Sequence, residues 1–224
     1  MLRATLKSLL SRKLRLVLSA MSVVLAVMFV SGAFVLSDTL GRTFESLFTS
    51  VYDYTDIQVA AKPKVASNEG ATAPAPIAAS QLDTIASVPG VRKATGLVFA
   101  DGVRVIGSNG KVIPSSGPPR FGANWTGEDQ LVQLRSGTGP TSDGQVALNA
   151  KLASLGNFKV GDQVKVLTLD PKAHTFTISG IFGYSGGRDS IGGAQVVAFT
   201  EPVAQKLMLG DTGVYNVVDV KVTN

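Results

Sequence analysis

One stretch has the spacing of a catalytic nucleophile. Gly183-Tyr184-Ser185-Gly186-Gly187 matches Gly-x-Ser-x-Gly, the sharp strand-to-helix turn that exposes a serine hydroxyl in α/β-hydrolases. That chemistry needs a helix directly behind the serine and, in that fold's chain order, a histidine after it to take the hydroxyl proton. The segment Thr175 to Phe182 alternates like a strand, so the first condition is half met. Gly186-Gly187-Arg188-Asp189-Ser190, followed by Gly192-Gly193, cannot hold a helix. The single histidine, His174, precedes the serine. The stretch therefore reads as a glycine-rich surface loop, and the chain as a non-enzyme.

Other chemistries fare no better. His174 falls in a turn, Asp170-Pro171-Lys172-Ala173-His174, and one histidine among scattered acids makes no metal site. The absence of cysteine excludes disulfides, thiolate catalysis and Cys-ligated zinc. No Gly-x-x-x-x-Gly-Lys-Ser/Thr loop is present to cradle ATP phosphates. Trp125 reads as a core or packing residue rather than a ligand platform. No cofactor is expected.

The elements around these residues explain what the chain does instead. Leu16 to Leu36 reads LVLSAMSVVLAVMFVSGAFVL, 21 residues without a charge. As a helix this run spans roughly 31 Å, the hydrocarbon thickness of a bilayer. Arg3, Lys7, Arg12, Lys13 and Arg15 precede it with no acid among them. They are five of the 21 Lys/Arg; the other 16 balance the 16 Asp/Glu, so the net charge of +5 belongs to the leader. A basic surface for nucleic acid is therefore not expected. Arg12, Lys13 and Arg15 flank the run and place the N-terminus in the cytoplasm, with residues after about 37 outside. The competing reading is a cleaved signal peptide, with Ser31-Gly32-Ala33 as the small-residue site.

Ser19, Ser22, Ala26 and Ala33 share one stripe of this helix, where small side chains permit close helix approach in lipid. Leu40, Phe44, Leu47, Phe48 and Val51 continue at helical spacing, which predicts a helical stalk over 37–55. Within the leader, 1–15, Leu2, Leu6, Leu9 and Leu10 form an apolar face suited to the cytoplasmic membrane surface.

Beyond the stalk, 56–224 reads as one mixed domain. Asp56 to Val59 is a strand, and Lys62 to Ala79 an Ala/Pro-rich loop. Ser80-Gln81-Leu82-Asp83 reads as a capping box, opening a helix that stops at Pro89-Gly90. Val91 to Ala100 and Val103 to Ile106 read as a hairpin turning on Asp101-Gly102. The Gly/Pro/Ser-rich segment from Gly107 to Gly144 gives no clear period. Gln145 to Leu148 is a strand, with Asn149 capping a helix through Leu155. Val164 to Leu169 and Thr175 to Phe182 form an antiparallel pair, and Ala194 to Phe199 a further strand. Thr200 caps a helix to about Leu209, and Val214 to Val222 is the last strand. Without a βαβ rhythm the class is α+β, after one N-terminal membrane helix.

Several stretches together resemble the MacB/FtsX-like permeases of ABC transporters, in particular the actinobacterial type. Arg12-Lys13-Leu14-Arg15 leading into the apolar helix is similar to the start of their first membrane segment. Ser87-Val88-Pro89-Gly90-Val91 is similar to a helix-to-strand junction in that family. Gly144-Gln145-Val146-Ala147-Leu148-Asn149, Leu155-Gly156, Val160-Gly161-Asp162-Gln163-Val164 and Phe176-Thr177-Ile178-Ser179-Gly180-Ile181-Phe182 follow the family's order and spacing. The resemblance implies a MacB-like extracytoplasmic core domain on a stalk. It further implies a separate ATP-binding subunit, a second permease copy and the lipid bilayer as partners, with ATP-driven export or mechanical signalling to the envelope as the function. Such permeases have at least four membrane helices, so the resemblance leads to the expectation that this chain is an N-terminal part or a truncated product. The alternative is a single-pass anchored binding domain acting without an ATPase.

Overall fold

The structure, a computed structural model, describes residues 13–52, 56–62, 75–115, 118–168, 170 and 172–223. Two units are present, Met1–Thr49 and Ser50–Asn224. The first holds most of helix α1 (Lys13–Tyr52), which is 40 residues long. At about 1.5 Å per residue the helix measures roughly 60 Å, twice a bilayer's hydrocarbon core. Its stretch Val17–Thr39 is long and apolar enough to cross a membrane. The large side chains along this stretch are exposed, Phe29 to 79% and Phe34 to 72%. An apolar surface of this length on all sides suits lipid rather than water.

The second unit begins with β1 (Ile57–Ala60), β2 (Ile77–Ala78), α2 (Ala79–Ala86) and β3 (Val91–Leu97). Short strands β4 (Phe99–Asp101), β5 (Arg104–Ile106) and β6 (Arg120–Asn124) follow, then β7 (Val132–Gly137) and β8 (Gln145–Asn149). Helix α3 (Ala150–Gly156) leads to β9 (Gln163–Leu167), β10 (His174–Tyr184) and β11 (Gln195–Phe199). The chain closes with α4 (Glu201–Ala204), a π turn over Gln205–Leu209, β12 (Val214–Tyr215) and β13 (Val217–Val222).

Eight strands make the large sheet, in the order β4-β6-β11-β8-β10-β9-β5, with β7 also paired to β10. Strands β6 and β11 run parallel, as do β8 and β10; the other pairs are antiparallel. β10 is the organiser. Its start, His174 to Thr177, pairs β9, its middle, Thr177 to Phe182, pairs β8, and its end, Gly180 to Tyr184, pairs β7. Register shifts after Ile178 and Ile181 bend it, so the sheet curls. β11 is buried at every residue, and β8 at all but its first. That accounts for their unbroken apolar runs: a strand covered on both faces needs no polar side. Val146, Leu148, Val197 and Phe199 face the main core with α3 and α4; Ala147, Val196 and Ala198 face a second cluster with Phe182 and Tyr184. The smaller sheet, β1-β13-β3, packs Val218 and Val220 against Ile77 and α2.

Three local expectations are corrected. Asp101-Gly102 turns the chain, with Gly102 at φ 111°, but not into a hairpin. β4 pairs β6 and β5 pairs β9, at opposite ends of the large sheet, while β3 belongs to the small sheet. The expected single strand is broken at Val98, which is buried in the main core. Helix α2 starts at Ala79, so Ser80 lies inside its first turn; the Gln81 side-chain oxygen accepts from the Ala78 N–H at 3.2 Å. Thr200 precedes α4, but its hydroxyl donates to Asp143 (3.1 Å) instead of capping the helix. The helical geometry then widens into the π turn and stops at Gly210, φ 75°. The leader 1–12, with its predicted surface helix, and residues 63–74 of the predicted loop lie outside the described residues.

Candidate functional site

Ser185 and His174 do not meet. His174 opens β10 and Ser185 follows its last residue, Tyr184. At about 3.3 Å per residue the eleven steps between them span up to roughly 36 Å along the strand. Behind Ser185 the chain makes one 3₁₀ turn, with Gly186 and Gly187 at φ 71° and 75°. No helix begins there. The Arg188 guanidinium donates from Nε to the Ser185 carbonyl (2.9 Å) and from Nη2 to its hydroxyl oxygen (3.2 Å). The Tyr184 N–H closes the bend onto the Arg188 carbonyl at 2.7 Å. This serine has a cation where a nucleophile needs a base.

His174 is half-buried at the start of a strand, one step past the expected turn. Its Nε2 lies 2.9 Å from Asp170 Oδ2. The Lys172 N–H donates to Asp170 Oδ1 at 3.1 Å. That N–H first, and His174 second, hold the Asp170 carboxyl below its ordinary range. The pair fastens the strand's start. Trp125 packs on Phe182, ring centroids 5.7 Å apart, and a methyl at Gly139 would overlap its ring. Both contacts are structural, as its sequence reading expected.

Asn149 is fully buried and uses its side-chain amide in four hydrogen bonds. Its Oδ1 accepts from Leu152 N (3.3 Å), the cap expected for α3, and from Val196 N (3.0 Å). Its Nδ2 donates to Ala194 O (2.9 Å) and Asp189 O (3.3 Å). One amide therefore ties α3, β11 and the glycine-rich loop together. The capping signal was visible in the sequence; the three long-range partners had no local signal.

The described membrane-related residues lie along α1, all but Val51 in the first unit. Lys13 and Arg15 sit in the first turn of α1 and are exposed, while Arg12 is outside the described residues. Leu16 and Leu36 are both helical. Ser19, Ser22, Ala26 and Ala33 are exposed along one stripe of α1. At the far end of the apolar stretch the Thr39 hydroxyl donates to Val35 O at 2.7 Å, the local bond that lets a hydroxyl sit in a lipid-facing helix. The backbone at Leu40, Phe44, Leu47, Phe48 and Val51 is helical.

In the second unit, the strand that starts the domain and the strand that ends it are neighbours. β1 and β13 pair antiparallel from Ile57↔Val220 to Ala60↔Val217. Asp56 strengthens the lower end: its N–H donates to Val220 O (3.2 Å) and its Oδ2 accepts from Val222 N (2.9 Å). Gln58 Nε2 reaches Asp219 Oδ1 across the pair at 3.2 Å. The chain thus enters and leaves the domain side by side.

Comparison with known proteins gives the family. A MacB-like periplasmic core domain matches residues 16–224. Among solved structures, the periplasmic region of MacB from Actinobacillus actinomycetemcomitans is 13% identical, with a TM-score of 0.42, covering 66% of this chain and 65% of that one. The extracellular domain of the noncanonical ABC-type transporter YknZ from Gram-positive bacteria is 18% identical (TM-score 0.47; 75% and 83% covered). A domain of a putative permease from Porphyromonas gingivalis is 16% identical (TM-score 0.42; 66% and 69%). No curated protein gives a significant match. With nearly its whole length inside the family's match, the chain belongs to the MacB-like periplasmic core domain family, a part of MacB/FtsX-like permeases.

Proposed function

We propose that this chain is a membrane-anchored permease subunit of an ABC transporter. Its extracytoplasmic domain takes part in ATP-driven export or in mechanical signalling to the envelope. The observation that carries this reading is the family match running through an apolar helix and the domain beyond it in one chain. Arg12, Lys13 and Arg15 hold the N-terminus in the cytoplasm, Leu16 to Leu36 crosses the membrane, and residues after about 37 lie outside. The helix continues past Leu36 as far as Tyr52, and 37–55 serve as a stalk for the domain 56–224. The side-by-side entry and exit strands favour a domain worked from one end, since displacement at either strand reaches the other through their shared ladder. The partners are a separate ATP-binding subunit and a second permease copy, which the Ser19, Ser22, Ala26 and Ala33 stripe packs against in the bilayer.

Two experiments test this. The chain lacks cysteine, so single introduced thiols report cleanly. Ser142→Cys should react with a membrane-impermeant maleimide on intact cells, and Ser11→Cys only after lysis. The reverse pattern overturns the orientation. The function is tested by sequencing the neighbouring DNA for an ABC-type ATPase gene and reconstituting the full chain in nanodiscs with its product. Co-elution and an altered ATP turnover are expected. An ATPase that neither binds nor responds favours the alternative, an anchored domain acting alone.

A further inference from the structure

The two larger sheets of the domain meet where the chain passes between them. It crosses from the small sheet to the large at Val98, between β3 and β4, and enters the small sheet again after Asn216, which lies between β12 (paired with β2 in a separate two-stranded ladder) and β13. Such a crossing leaves strand backbone groups without ladder partners. Two asparagines take them up. Asn124, buried at the end of β6, accepts from Val98 N at 2.8 Å and donates to Gly96 O at 3.0 Å. Its own N–H donates to Val98 O at 3.1 Å. Asn216 accepts from Phe99 N at 2.8 Å through its side chain and donates to Leu97 O at 2.9 Å through its backbone. Beside them Tyr215 lies against Gly96 so closely that any side chain there would overlap its ring. The Tyr215 hydroxyl donates to Glu201 Oε1 of α4 at 2.8 Å. Asn124 thus reaches from β6 of the large sheet to the end of β3, and Asn216 from just ahead of β13 to the start of β4.

We infer that Asn124 and Asn216 form a joint that locks the two sheets into one mechanical body. The small sheet holds the entering and leaving strands, so movement delivered there is passed to the large sheet instead of being absorbed at a hinge. The second half of this inference rests on the proposed permease function; the joint itself does not.

Native-state hydrogen exchange on the full chain in nanodiscs tests the joint without any transport assay. In the parent, β3 and β13 should open together with β8, β10 and β11. Asn216→Ala removes one acceptor and should raise exchange in β3 and β13 about 10-fold while β8, β10 and β11 stay unchanged. Asn216→Asp keeps the acceptor and should restore the parent pattern. Asn124→Leu should uncouple the sheets further; if it does not fold, the Asn216 pair of variants still carries the test. Equal acceleration of both sheets in Asn216→Ala, or no change in either, overturns the joint. A preserved joint in a chain that fails to engage any ATPase would leave the joint standing and remove the permease reading with the force-passing role built on it.

Discussion

Removing the Asn149 side chain should be the most damaging single truncation of a polar residue in the domain. Asn149→Ala takes the cap from α3, worth about 1 kcal/mol. It also leaves Val196 N and Ala194 O buried without partners, at about 1 kcal/mol or more each. The bond to Asp189 O is longer, 3.3 Å, and adds less. The total is about 3 kcal/mol. The assay is urea unfolding of the full chain in detergent, followed by the fluorescence of the single tryptophan, Trp125, which packs against Phe182 and so senses the sheet. With a slope of about 2 kcal/mol per molar, the midpoint should fall by about 1.5 M. Asn149→Asp keeps both acceptor bonds but aims a carboxylate at two carbonyls, and should cost at least as much as the alanine. A loss below about 1 kcal/mol for Asn149→Ala, or parent-like stability for Asn149→Asp, would refute the hub.

Other outcomes are as definite. Gly180→Ala places a methyl against the Thr138 carbonyl, where β7 joins β10, and should cost about 1–3 kcal/mol, read by the same unfolding curve. Tyr215 is pushed up to about 12 by burial and by its bond to Glu201, so its neutral form favours folding. The thermal midpoint should hold below pH 10 and fall as pH rises toward 12; Tyr215→Phe should reduce this fall, and Tyr184, also raised by burial, should keep part of it. Asp170 has a lowered pKa, so its contribution is present above the ordinary carboxylate value and lost as pH falls through the folded one; Asp170→Asn should flatten that acid limb, measured by melting between pH 5 and 2. Ser185→Ala should leave stability within about 0.5 kcal/mol of the parent, and neither protein should hydrolyse a chromogenic ester.

The elements with local causes were legible. The centres of β8 (Val146-Ala147-Leu148) and β11 (Val196 to Phe199) could be read as strands because both faces are buried and each of those positions is apolar. Asn149 could be read as a cap because the acceptor and its N–H lie three residues apart. Asp101-Gly102 misled because a turn dipeptide says where the chain bends, not which strands then pair. Those partners, β6 and β9, lie far along the sequence and are chosen by the curl of the sheet. β6 was hidden inside Arg120-Phe121-Gly122-Ala123-Asn124, whose glycine is required by Met208 and Val103 packed above it, and whose parallel partner begins at Gln195. The apparent serine site was legible as a loop because Gly186-Gly187 is a poor helix start and His174 precedes the serine; the structure adds that both glycines are left-handed.

The pairing of β1 with β13 also governs when the domain can exist at all. Gln58 and Asp219 touch across that ladder although they are 161 residues apart in sequence. At a synthesis rate of about 5–20 residues per second, β1 waits roughly 10–30 s for its partner. The large sheet can close in that interval, since its last strand is β11. The small sheet cannot, because its central strand, β13, is made after every strand of the large sheet. Folding should therefore proceed in two stages, the large sheet first and the small sheet once β13 has been made. Between them the newborn chain presents open strand edges, which is the period in which a chaperone would be needed.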